Sequence, residues 1–101
     1  MDLKNGMSLR LLSALEVLEA RREGDQLAQS QQERPLCRNA CLLARALESQ
    51  EGAVFASGRE VLGALRLEEI AALAGRWSDF NRRENPSLDL EEDGRETLKK
   101  N

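Results

Sequence analysis

The chain is predicted to be all-α: a small helical domain of three to four helices, with a long N-terminal helix and a flexible acidic C-terminal tail. Three observations predict it. Leu67, Ile70, Leu73, Ala74, Trp77 and Phe80 recur at steps of three and one, the period of a helix with one apolar face. Leu36, Ala40, Leu43 and Leu47 repeat at four, three and four, and Cys37, Cys41 and Ala44 add a second stripe beside them. Ser13 is followed three residues later by Glu16, the spacing of a capping box that starts a helix among the first leucines.

The elements follow in order. Residues 1–12 form a lead-in, with Leu9 and Leu11 as a hydrophobic staple or an earlier turn. The first helix is expected over 13–32, its second half largely solvated because 26–34 is mostly Gln, Ser and charge with little to pack. Pro35 cannot continue that helix but suits the first turn of another, so a break is expected there and a central core helix over 35–49. Residues 52–58 are too short for a packed helix. With no second strand in sight, they are read as an extended connector that drops Phe55 into the core. Ser57 and Glu60 repeat the capping-box spacing, giving a short helix over 58–65. The last helix runs 67–82, with Glu68 and Glu69 in its first turn, where the helix dipole favours anions, and it ends before Asn85 and Pro86. The helical domain is thus 13–83, and 84–101, with 3 basic and 6 acidic side chains, is the flexible tail.

At 101 residues there is room for one core only. The chain has no His, the side chain that titrates nearest neutrality, so the usual general base and a frequent metal ligand are missing. No side-chain set for catalysis is apparent, and neither an enzymatic activity nor a cofactor is expected. Fifteen basic against 18 acidic residues give a net charge of -3, which disfavours nucleic acid as a partner. No stretch reaches the roughly 18 apolar residues of a membrane span, and 1–10 does not read as a signal peptide; no membrane is expected, and the cytoplasm is the expected location.

Candidate chemistry reduces to a few clusters. Cys37 and Cys41 share a helix face, but a structural zinc needs four ligands of thiolate or imidazole type, and two cysteines exhaust the supply; buried core residues are the expectation. Glu91, Glu92 and Asp93 lack the Asp, Asn and Gly punctuation of a calcium loop. The pairs Arg21 and Arg22, and Arg82 and Arg83, are flanked by Glu19 and Glu23, and by Asp79 and Glu84, which lower the local potential. Trp77 is expected to close the core and Phe80 to sit at its rim beside arginine, where an aromatic also suits an interface. Leu9, Leu12, Leu15 and Leu18 form a stripe that one central helix can hardly cover along its whole length.

Three stretches carry a resemblance: Asn39-Ala-Cys-Leu-Leu-Ala-Arg-Ala-Leu47, Val54-Phe-Ala-Ser-Gly58, and Leu67-Glu-Glu-Ile running through Trp77 and Phe80 to Asn81, closed by Asn85-Pro86. Together they resemble the tail assembly chaperones encoded among bacteriophage and prophage tail genes, over roughly residues 10–86. The resemblance implies a partner of tape-measure type, whose helical and apolar segments are kept soluble until tail-tube subunits polymerise around it. It implies no catalysis and no cofactor. One departure is that Arg66 and Leu67 stand where a Ser or Thr cap is expected, so the last helix is expected to begin earlier, fused to the turn at 61–65. The partner surface is expected on Leu9, Leu12, Leu15 and Leu18, and on Phe80, Asn81, Asn85 and Pro86; a homodimer is the competing use of the leucines. The alternative reading is a small prophage-encoded regulatory or DNA-associated helical protein acting through its C-terminal helices.

Overall fold

A computed structural model describes residues 1–84. Of the segment expected as an acidic tail, Glu84 belongs to the last helix, and 85–101, including Asn85, Pro86 and the Glu91 cluster, lies outside the described residues. Within them the chain is mainly helical: β1 (Ser8–Leu9), α1 (Ala14–Leu27), α2 (Arg34–Ala46), β2 (Leu47–Ser49), β3 (Gly52–Ala53), α3 (Gly58–Ala64) and α4 (Leu67–Glu84), with single 3-10 turns at Lys4–Gly6 and Gln31–Glu33.

The two apolar stripes of α2 make it the centre, and α1, α3 and α4 all pack on it. Cys37, Ala40, Cys41, Leu43, Ala44 and Ala46 are buried there. Small side chains at 37, 40, 41 and 44 let the neighbouring backbones come close, and two glycines complete the approach. A Cβ placed on Gly24 of α1 would fall 2.6 Å from the Cα and N of Arg38, and one on Gly58 of α3 would overlap the Cys41 sulfur. Ile70, Trp77, Leu9, Leu12, Leu47 and Val61 close the core, with Phe55, Leu73 and Phe80 half-buried against it. The Trp77 indole N–H donates to the Arg10 carbonyl at 2.9 Å and ties α4 to the segment that leads into α1.

Several expectations need correction. The first helix ends at Leu27 instead of residue 32, eight residues before Pro35. The polar stretch after Leu27 has no apolar face to bury, and without packing the local helical bonds of a chain end are marginal. There Glu33 turns its carboxylate back onto the Gln29 N–H at 2.8 Å instead. The second helix stops at Ala46. Leu47–Ser49 leaves as a strand, antiparallel to β1 on one side, with Leu9 opposite Leu47, and to β3 on the other, with Ser49 opposite Gly52. The connector after Ser49 therefore has pairing partners after all. The turn works because Gly52 takes a φ of +112°, a region that side chains oppose. The lead-in is ordered too: the Leu9 N–H donates to the Met1 carbonyl at 2.7 Å.

Both Ser-x-x-Glu spacings read from the sequence mark helix starts, and the first forms a full capping box. The Ser13 hydroxyl accepts the Glu16 N–H at 3.1 Å, and the Glu16 carboxylate accepts the Ser13 N–H at 2.9 Å. The Ser57 hydroxyl accepts the Glu60 N–H at 3.3 Å, but the Glu60 carboxylate accepts the Ala56 N–H, at 2.9 Å, in place of that of Ser57. The last two helices are not fused. Leu65 is extended (φ -110°, ψ 153°), and the missing Ser or Thr cap is replaced by the Glu69 carboxylate, which accepts the Arg66 N–H at 2.8 Å. No helix among the described residues is long and apolar enough to cross a membrane.

Candidate partner-binding face

The expected leucine stripe divides. Leu9 and Leu12 are 1% and 6% exposed and belong to the core, so neither offers a partner surface. Leu15 and Leu18 are 59% and 45% exposed. The division follows from where helical geometry begins: the chain stays extended through β1 to the Ser13 cap, so Leu9 and Leu12 are not in register with the leucines after it. Once α1 starts, Ala20 and Gly24 face α2, and the 100° step per residue sends Leu15 and Leu18 to the opposite side. Phe80 and Asn81 are half-buried on the core-facing side of α4, with Phe80 packed against the core cluster. The structure thus leaves Leu15 and Leu18 as an adjacent exposed pair and does not join Leu9, Leu12 or Phe80 to them.

The polar side chains of α1 show a second asymmetry, one the sequence reading missed. Glu16, Glu23 and Asp25 each answer an arginine from another segment. Glu16 receives Arg10 at 2.6 and 3.3 Å. Glu23 takes the Arg45 guanidinium at 2.7 Å and the Gly58 N–H at 3.2 Å, so one carboxylate braces α1, α2 and the start of α3. Asp25 holds Arg38 through two parallel bonds of 2.8 and 2.9 Å. The hydrogen bond from Arg38 lowers the Asp25 pKa. Burial pushes the Glu23 carboxyl upward, but the bonds from Arg45 and Gly58 outweigh it and the net shift is downward. The only sequence signal was that Arg38 and Arg45 are seven apart, two turns on one face of the central helix; the Asp25 and Glu23 that meet them are only two apart and show no matching spacing.

Because Glu23 turns inward to Arg45, of the two carboxylates expected to offset Arg21 and Arg22 only Glu19 is left beside them. Both arginines are exposed, and among the described residues neither has an ion-pair partner. They follow Leu18 by three and four residues, which places them one turn beyond the leucine pair. Glu19 is the one carboxylate of α1 without such a bridge.

Glu16 carries a pH prediction. The bond from Arg10, helped by the Ser13 N–H, holds its carboxyl at about 2, against 4.5 ordinarily. A folded-state pKa below the unfolded one adds stability that is complete above about pH 5 and is lost as pH falls toward 2. Glu16→Gln, which keeps a side chain able to accept the Ser13 N–H, is expected to be less stable than wild type at pH 7 and to show a flatter decline between pH 5 and 2. Urea midpoints at pH 7, 4 and 3 measure both.

Cys37 and Cys41 are free and buried, as core residues. Burial, with the Glu23 charge behind it, pushes the Cys41 thiol up to about 12, so the reactive thiolate is scarce at neutral pH. Among the described residues no group of three or more His, Cys, Asp or Glu is placed to hold a metal ion. No protein-family model, curated protein or solved structure matches this chain.

Proposed function

We propose that this protein is a non-catalytic tail assembly chaperone, or a related tail-morphogenesis protein, which binds helical segments of a tape-measure-type partner in the cytoplasm of a bacterial host. The observation that carries this reading is the exposed Leu15 and Leu18 pair on the outer side of a helix whose inner side is fully engaged. The resemblance over 39–47, 54–58 and 67–86 supplies the kind of partner.

Magnitudes favour a partner over a second copy. Full burial of a leucine is worth roughly 1.5 to 3 kcal/mol, and about half of that remains to be gained at each of these side chains. A second copy would bury two such pairs, four half-exposed leucines worth roughly 3 to 6 kcal/mol together, which reaches only the low end of the roughly 4 to 15 kcal/mol that association costs, so a dimer built on this pair alone is marginal. A long partner with several such segments gains from effective concentration and needs little from each contact.

Coexpression with a tape-measure-type protein tests the reading. The wild-type chain is expected to raise the soluble fraction of that protein severalfold. Leu15→Asp/Leu18→Asp, which alters only exposed positions, is expected to fold normally by circular dichroism and to lose the effect. Equal solubilisation by the double variant, or none by the wild type, would contradict it.

A further inference from the structure

The two unanswered arginines add a charge requirement to the leucine pair. On α1 the carboxylates at 16, 23 and 25 are spent on Arg10, Arg45 and Arg38, whereas Arg21 and Arg22 stand in solvent one turn beyond Leu18 with the lone exposed Glu19 beside them, leaving the strip net positive. An occupant that lays apolar side chains on Leu15 and Leu18 brings its next turn over two cations. We infer that the segment this face accepts is an acidic amphipathic helix: an apolar pair spaced three or four apart, followed one turn on by Asp or Glu. This inference rests on the docking reading above and adds the partner's charge to it.

Two features set this occupant above the others. Nucleic acid would use the arginines but leave Leu15 and Leu18 against water, since phosphates offer them nothing apolar. A second copy packed in parallel would set like charges against one another, and the leucine pair is too small to offset that. An acidic amphipathic helix satisfies both halves of the strip. Exposed ion pairs are individually weak, so they act here chiefly as a selector among apolar helices and not as the source of affinity.

The test uses the full chain and two synthetic helical peptides, identical except that the residues one turn beyond a leucine pair are Glu in one and Lys in the other. Fluorescence anisotropy at about 20 mM salt should show the Glu peptide binding roughly fivefold tighter or better, as two exposed pairs allow. The preference should shrink at about 300 mM salt, where the Debye length is short. Arg21→Glu/Arg22→Glu should reverse the preference, and Leu15→Asp/Leu18→Asp should abolish binding of both peptides. Equal affinity of the two peptides for the wild-type chain, or binding of neither, overturns the inference. So does tighter binding of a 20-base-pair duplex than of the Glu peptide, or a wild-type chain that sediments as a dimer sealing Leu15 and Leu18. Solubilisation of the tape-measure-type protein that depends on the leucines but ignores Arg21→Glu/Arg22→Glu would reject the charge requirement and leave the docking reading standing.

Discussion

Gly24→Ala is expected to destabilise the protein by about 2 to 3 kcal/mol, although the same change in an exposed helix stabilises by about 1 kcal/mol. The sign is set by what the new methyl meets. At Gly24 it falls 2.6 Å from the Cα and N of Arg38, backbone atoms of the central helix that cannot turn aside as a side chain would. α1 must back away from α2, loosening the Asp25 to Arg38 and Glu23 to Arg45 bridges on either side. Gly75, within α4, provides the control: nothing lies within 4 Å of a Cβ there. Gly75→Ala should therefore be more stable than wild type by about 0.5 to 1 kcal/mol, through the lower conformational freedom of its unfolded chain. Urea denaturation followed by circular dichroism reads both. A stabilising Gly24→Ala would mean that the two helices are not in contact there.

Trp77→Ala should cost about 3 to 5 kcal/mol, the range for removing a large aromatic from a core, and this is a large fraction of what a domain of this size possesses. Trp77 is one of three aromatics in the chain, and the aliphatic residues around it cannot easily refill its volume. Trp77→Phe separates packing from hydrogen bonding. It keeps most of the apolar contact but removes the N–H that meets the Arg10 carbonyl, and an acceptor left without its donor costs about 1 to 3 kcal/mol. Thermal unfolding by circular dichroism is the measurement. If Trp77→Phe matched wild type, water would be reaching the Arg10 carbonyl and the link between α4 and the entry to α1 would contribute little.

The parts of this fold that follow local rules were legible in the sequence. The steps of three and one from Leu67 to Phe80 give α4, the double stripe from Leu36 to Leu47 gives the central helix, and Ser13 and Ser57 with their partner glutamates give two helix starts. Illegible parts depend on distant segments. Strands of two or three residues are too short to display alternation, and Leu9 and Leu47 reveal their role only once they lie opposite one another. The end of α1 at Leu27 follows from the lack of an apolar face to bury beyond it, not from the helix propensity of the residues there. The candidate face suffered for the same reason. Reading Leu9, Leu12, Leu15 and Leu18 as one stripe assumed one helix, whereas the Ser13 cap, itself read from the sequence, already separated the first two from the last two.

The central claim, that the outer side of α1 is where a partner helix is gripped, is tested most directly by methyl NMR. The leucine methyls of the full chain would be followed as a helical fragment of a tape-measure-type protein is added. The account predicts shifts at Leu15 and Leu18, with the core leucines Leu9, Leu12 and Leu43 unmoved. Shifts confined to those core leucines, with Leu15 and Leu18 unchanged, would contradict it.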